Sequence, residues 1–105
     1  MRVGIFSSPH LRYFCERIQT NVARIGDDEL AGELERLRAA LTDEIYDELS
    51  FFEVNTLLAL ACFARHQVEL AVLEVGLGGR WDSTNVVEPA LAVIASIGLD
   101  HQQLL

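Results

Sequence analysis

The sequence contains no lysine. All eight of its basic residues are arginines, and there are sixteen acidic residues. A phosphate loop of the form GxxxxGK[ST] uses its lysine on the nucleotide phosphates, so these 105 residues contain no such loop. The net charge of −8 disfavours a nucleic-acid or anionic-membrane surface. We therefore expect no nucleic acid and no membrane among the partners.

Long hydrophobic runs are also missing. The longest, residues 57–64, is far below the ~20 residues that span a bilayer, and it is better interpreted as a buried helix. No signal-peptide pattern follows Met1, which predicts a cytoplasmic location. Cys15 and Cys62 form no CxxC or CxxH pattern, so both are interpreted as buried thiols.

Three apolar runs have the length of strands. Residues 3–6, 70–75 and 91–97 are continuous rather than alternating, which predicts strands covered on both faces, as in parallel sheets. Residues 11–25 are ambiguous between a small hairpin and a helix. A chain of 105 residues makes one small domain at most.

Two helices follow from capping and periodicity. Acidic residues at 27–29 precede leucines at positions 30, 34, 37 and 41, which predicts an amphipathic helix ending near Thr42. Ser50 and Glu53 form a capping-box pattern before an apolar run, so a second helix should start at Phe51 and end near His66. Residues 29–38 and 43–48 are interpreted as solvated faces and loops. The predicted fold class is α/β, a partial parallel sheet with helices packed on it.

Polar residues follow each predicted strand. Ser7, Ser8, Pro9 and His10 follow the first, Glu74 ends the second, and Asp100 and His101 follow the third. Ligands of open parallel sheets bind outside the carboxyl ends of the strands, so these three clusters predict one shared site.

Each of these residues also has a purely structural interpretation. Glu74 could be hydrogen-bonded to a neighbouring turn instead of facing a cation, and His101 could be an ordinary exposed histidine. Arg80 suits an anionic ligand but also an ion pair, and Trp81 either packs under its loop or offers a flat surface to a ligand. Asp82 and Asn85 could be turn formers.

The glycines at positions 76, 78 and 79 are weak evidence alone. Their spacing is not the GxGxxG of a dinucleotide-binding fold, which disfavours a nucleotide-dependent oxidoreductase.

Five blocks in order nevertheless resemble a known family. They are spread along nearly the whole chain and comprise residues 6–11, 16–18, 52–56, 74–86 and 96–101. The chain resembles folylpolyglutamate synthase and dihydrofolate synthase, within the Mur ligase superfamily. The resemblance places it in the central ATPase domain of such a ligase.

The resemblance implies a chemistry and a set of residues. These ligases use ATP to phosphorylate a carboxylate of a folate or dihydropteroate, and the amino group of glutamate attacks the acyl phosphate to form an amide. Ser8, Glu74 and His101 match magnesium-site positions, with Glu74 and His101 as catalytic residues, although Mg²⁺ prefers oxygen to nitrogen ligands. The implied substrate-binding residues are Ser7, Pro9, His10, Arg80, Trp81, Asp82 and Asn85.

The departures from the family pattern imply a fragment. A GTNGKGS phosphate loop precedes the matching segment in the family, and a modified lysine and a glutamate-binding C-terminal domain follow it. We therefore expect residues 1–105 to be a partial central domain that is inactive in isolation. The alternative is a non-catalytic α/β binding or interaction module derived from the family, and the flanking coding sequence would distinguish the two.

Overall fold

The computed structural model describes residues 1–101, which form a four-stranded sheet of order β3-β2-β1-β4 and three α-helices. The strands are β1 (Val3–Phe6), β2 (Ile18–Thr20), β3 (Ala23–Arg24) and β4 (Leu70–Leu73), and the helices are α1 (Asp27–Ala40), α2 (Asp43–Glu48) and α3 (Phe51–Arg65). Single 3₁₀ turns occur at Phe14–Arg17 and Ser83–Val86. The predicted α/β class, with helices on a sheet, is confirmed.

The sheet is mixed rather than all parallel. β1 pairs in parallel with β4, with Phe6 opposite Leu73, and antiparallel with β2. Within the ambiguous residues 11–25, the 3₁₀ turn at Phe14–Arg17 is followed by the antiparallel hairpin β2–β3, whose strands are joined by two residues. Asn21 and Val22 at its tip have φ angles of 49° and 69°, the left-handed geometry of tight hairpin turns.

Helix α3 is the central packing element and begins as predicted. Ser50 Oγ accepts a hydrogen bond from the Glu53 N–H, and the Glu53 carboxylate accepts one from the Ser50 N–H. The helix crosses β1 so closely that a β-carbon at Gly4 would lie 2.6 Å from the Phe63 ring. The buried apolar side chains are Phe6, Cys15, Ile18, Ile25, Leu58, Ala59, Cys62 and Phe63.

Both cysteines are buried and free, as predicted. Burial, reinforced by the Asp27 carboxylate to which the thiol donates a hydrogen bond, raises the pKa of Cys15 to about 11. Burial followed by the charge of Glu29 raises the pKa of Cys62 to about 11. Both side chains are therefore neutral thiols near pH 7.

Helix α1 is joined to α3 by leucines and by one buried carboxylate. Leu30 and Leu37 pack against the core. Glu33 is 1% exposed and forms ion pairs with Arg36 on its own helix and Arg65 on α3. Burial alone would raise the pKa of Glu33, but the two guanidinium groups outweigh it and lower the pKa. The carboxylate thus stays charged between the helices, and the interpretation of residues 29–38 as a solvated face is wrong at this position.

Three further sequence-based expectations are wrong. Residues 91–97 form no strand, and Val93 and Ile97 are 83% and 86% exposed. An apolar strand needs a hydrogen-bonded neighbour and cover on its faces, and no element within residues 1–101 supplies them.

The strand expected over residues 70–75 ends at Leu73 and is exposed, with Val72 at 51%. Residues 43–48 form a short surface helix instead of a loop, because the Thr42 hydroxyl accepts the Ile45 N–H and caps it.

None of the helices within residues 1–101 combines the length and apolar character that crossing a membrane requires.

We expect Glu33→Ala to lower the free energy of unfolding by about 2 kcal/mol in urea titrations. The substitution removes hydrogen bonds made by a buried carboxylate, while the half-exposed arginines can rehydrate and limit the loss. Glu35→Ala, at an exposed position of the same helix, is the control and should change stability by less than about 0.5 kcal/mol. Equal losses in the two variants would contradict the role assigned to Glu33.

Candidate functional site

The carboxyl ends of β1 and β4 bring two predicted site residues together. Because the strands are parallel and Phe6 lies opposite Leu73, the chain leaves both strands at one edge of the sheet. The Glu74 N–H donates to the Phe6 carbonyl oxygen at 2.8 Å, and Glu74 Oε2 accepts the Ser8 N–H at 2.9 Å. Glu74 Oε1 accepts no hydrogen bond within residues 1–101, and the residue is exposed. One oxygen therefore fixes the carboxylate and the other faces solvent.

The turn after β1 is held by a second carboxylate. Glu16 accepts hydrogen bonds from the N–H groups of Tyr13, Arg12 and Leu11 at 2.6, 3.0 and 3.1 Å. These donors, Tyr13 foremost, lower the pKa of Glu16 below its usual value. The carboxylate therefore stays ionised at neutral pH and orders residues 11–13.

His10 and Pro9 lie on the same turn. The Ser8–Pro9 peptide bond is cis. The Arg17 Nε–H donates to His10 Nδ1 at 2.8 Å, which makes His10 Nδ1 an acceptor. The Ser7 N–H donates to the Arg17 carbonyl oxygen at 3.0 Å. Arg17 thus connects the turn that follows β1 to the start of β2.

Asp82 organises the glycine-rich loop after β4. Its carboxylate accepts hydrogen bonds from the N–H groups of Gly76 at 3.0 Å and Leu77 at 2.9 Å, and from the N–H and hydroxyl of Thr84 at 2.9 and 2.5 Å. Asn85 Nδ2 donates to the Arg80 carbonyl oxygen at 3.0 Å. Asp82 and Asn85 are therefore turn formers in this structure, which was one of the two interpretations of each.

The loop is anchored on the first turns of α3. A β-carbon at Gly76 would lie 2.6 Å from the Phe52 ring, so only glycine fits at this position without displacing the ring. The hydroxyl groups of Thr56 and Ser83 are 2.6 Å apart, and one donates to the other. Two independent contacts thus hold the loop against the helix.

A cleft of about 530 Å³ lies between these segments. Four predicted site residues line it, namely Ser8, Pro9, Trp81 and Asp82. The sequence analysis did not assign the seven other lining residues to the site: Arg17, Ser50, Phe52, Glu53, Gly76, Leu77 and Ser83. A signal existed, because Arg17, Phe52, Glu53, Leu77 and Ser83 fall within the blocks that carry the family resemblance.

The Trp81 side chain is exposed at the cleft. Its exposed fraction is 86%, so it does not pack under its loop and its ring is available to a ligand.

His101 lies apart from the other predicted site residues. It is exposed, and its contacts within residues 1–101 are with Asp100, whose carboxylate accepts the His101 N–H at 2.8 Å. The structure thus joins Ser8 to Glu74 and does not join His101 to either.

Comparison with known proteins gives the class of the fold. The dihydrofolate synthase/folylpolyglutamate synthases of Haemophilus influenzae and Bacillus subtilis are each 44% identical to this chain, over 100% and 98% of it and over 23% and 25% of their own lengths. Escherichia coli FolC in complex with ADP matches it with a TM-score of 0.91 and 38% identity, over 99% of this chain and 25% of that one. No family model matches.

A second solved structure agrees. A bifunctional folylpolyglutamate synthase/dihydrofolate synthase with Mn, AMPPNP and L-glutamate bound has a TM-score of 0.87 and 40% identity, over 95% of this chain and 24% of that one. The fold is therefore that of a segment of these synthases. The chain is homologous to part of the dihydrofolate synthase/folylpolyglutamate synthase family and spans about a quarter of the length of the relatives it matches.

We expect Asp82→Asn to increase trypsin cleavage after Arg80 about tenfold. The amide cannot accept all four hydrogen bonds, and a loss of about 1.4 kcal/mol in local stability corresponds to a tenfold larger open population. Mass spectrometry of the early fragments measures the rate. Asp47→Asn on the exposed surface of α2 should leave that rate unchanged. Unchanged cleavage in the Asp82 variant would show that other contacts hold the loop.

Proposed function

We propose that this chain is a partial central ATPase domain of an ATP-dependent carboxylate–amine ligase that adds glutamate to a folate or dihydropteroate. The observation that carries the proposal is the Ser8–Glu74 contact at the carboxyl edge of β1 and β4, within a fold shared with the folylpolyglutamate synthases. Its reaction would proceed through an acyl phosphate. A cytoplasmic location is part of the same proposal.

Ser8 and Glu74 fit a magnesium ion. Both offer oxygen, which Mg²⁺ prefers, and an Mg²⁺ site commonly uses one or two protein ligands and keeps several waters. The solvent-facing Oε1 of Glu74 and the Ser8 hydroxyl lie on adjacent segments, held by the hydrogen bond between the Ser8 N–H and Glu74 Oε2. When bound, the ion would neutralise charge on the transferring phosphoryl group.

His101 fits this ion less well. Its ring offers nitrogen, and its contacts within the described chain are with Asp100. We propose Ser8 and Glu74 as the primary magnesium ligands, with Glu74 as the catalytic residue that touches the ion. His101 remains a proposed ligand that would require residues 91–101 to adopt another path.

The cleft beside Glu74 is the proposed substrate site. Pro9, Trp81 and Asp82 line it, and the exposed Trp81 ring suits a flat aromatic ligand such as a pterin. Ser7 and His10 lie on the turn that forms one wall, and Arg80 and Asn85 lie on the loop that forms another. Arg80 supplies a positive charge for an anionic substrate.

The residues that bind the nucleotide phosphates in such a ligase would lie outside this sequence. The chain has no lysine, whereas the phosphate loops of ATP-dependent enzymes place one on the phosphates. We therefore propose that the chain by itself is inactive and that activity needs the complementary parts of a ligase. The exposed apolar face of β4 and of residues 91–99 supports this proposal, since such surface is normally covered.

We expect Glu74→Gln to reduce turnover about 100-fold or more once the missing parts are supplied. Residues 1–101 would replace the equivalent segment of a full-length family ligase, and steady-state formation of the glutamate amide would be measured. Glutamine keeps the shape and the hydrogen bond from Ser8 but removes the charge that would hold the ion.

Glu69→Gln is the matched control. Glu69 lies at the opposite end of the same strand region, where it accepts the Arg2 N–H, so its loss should leave turnover close to that of the unmutated graft. A folded Glu74→Gln graft with near-normal turnover would show that Glu74 is a structural carboxylate.

A further inference from the structure

Three chemically different side chains meet between α1 and α3. Glu29 extends from the first turn of α1, and Cys62 and His66 lie four residues apart at the end of α3, on one face of the helix. One ligand atom from each lies within 4.8 Å of the others. The Cys62 Sγ–H donates to Glu29 Oε1 at 3.8 Å, and His66 Nε2 hydrogen-bonds the same oxygen.

The separation of the Cys62 sulfur from the Glu29 oxygen is near that of two ligands in a small tetrahedral metal site. Zinc bonds of about 2.3 Å to sulfur and about 2.0 Å to nitrogen or oxygen place neighbouring ligand atoms about 3.3 to 3.6 Å apart. The Sγ–Oε1 distance is already close to this value. The His66–Glu29 contact would widen by rotation of two partly exposed side chains, with exposures of 39% and 33%.

The ligand set selects the class of metal. Thiolate and imidazole are typical zinc ligands, whereas Mg²⁺ and Ca²⁺ take oxygen. The exposed side of His66 and Glu29 gives an ion access from solvent and leaves room for water as the fourth ligand.

We propose that Glu29, Cys62 and His66 bind a zinc-class divalent cation that clamps α1 to α3. Binding exchanges the Cys62 S–H bond for an S–metal bond and releases one proton to solvent. The ion's two positive charges are then balanced by the thiolate and the Glu29 carboxylate. The neighbouring Glu33 carboxylate is already paired with Arg36 and Arg65, so it does not compete for the ion.

The proposed zinc site lies apart from the Glu74 edge. Phe52, which contacts Gly76, is ten residues before Cys62 on α3, and ten helical residues span about 15 Å. The cluster is therefore a clamp between two helices and not a part of the proposed magnesium site.

Cobalt(II) titration of the reduced 105-residue chain tests the proposal. Cobalt bound to a thiolate gives a near-ultraviolet charge-transfer absorption, and we expect this band to saturate at one ion per chain and to disappear when Zn²⁺ is added. His66→Asn changes an exposed side chain and Cys62→Ser changes the thiol itself. Each should weaken Zn²⁺ binding about 100-fold or more, because even the loss of a ligand's hydrogen-bond partner costs 10- to 100-fold.

Cys15→Ser is the matched control. Cys15 is also buried and also donates to a carboxylate, that of Asp27, but it is not a member of the cluster. This variant should keep the cobalt band and the Zn²⁺ affinity. Absence of the band in the unmutated chain would overturn the proposal, as would Zn²⁺ binding that survives in both the His66 and Cys62 variants.

Discussion

In the register that places Phe6 opposite Leu73, the chain leaves β1 and β4 side by side at the same edge of the sheet. The hydrogen bond from the Glu74 N–H to the Phe6 carbonyl oxygen continues that pairing by one residue beyond the strand. Ser8 then comes within reach of the Glu74 carboxylate. A shift of one residue would turn Glu74 to the other face of the sheet, so the register determines whether Glu74 can reach Ser8 and form the proposed magnesium site.

Helix α3 connects this edge to the rest of the molecule. Its first turns carry Phe52 and Thr56, which fix the loop after β4. Cys62 in its last turn and His66 at its C-cap meet Glu29 of α1. The close contact of Gly4 with Phe63 sets the helix against β1 between these ends. One helix thus positions both the proposed ligase edge and the proposed zinc site.

Local signals in the sequence predicted the local structure well. The Ser50–Glu53 capping box marked the start of α3, and the leucine spacing marked α1, because both depend on residues within one helix. The expectation that the polar residues after the first two strands lie close together also agrees with the structure, since Ser8 and Glu74 meet at the carboxyl ends of β1 and β4.

The sequence-based expectations that are wrong concern features that depend on contacts with distant parts of the chain. Residues 91–97 have the composition of a buried strand, but pairing and cover decide whether such a run becomes one. The four hydrogen bonds of Asp82 were likewise invisible, because turn formers and ligand-binding carboxylates look alike in a sequence.

Amide hydrogen exchange of the 105-residue chain, resolved by residue with NMR, measures the β1–β4 edge most directly. We expect the Glu74 and Ser8 amides to exchange at least about tenfold more slowly than unprotected amides, because each donates a hydrogen bond at the carboxyl ends of β1 and β4. The amide of Ile94, in the exposed segment without regular structure, should exchange at the unprotected rate. Exchange of the Ser8 and Glu74 amides as fast as that of Ile94 would contradict this expectation, because the parallel register would then not hold Ser8 and Glu74 together.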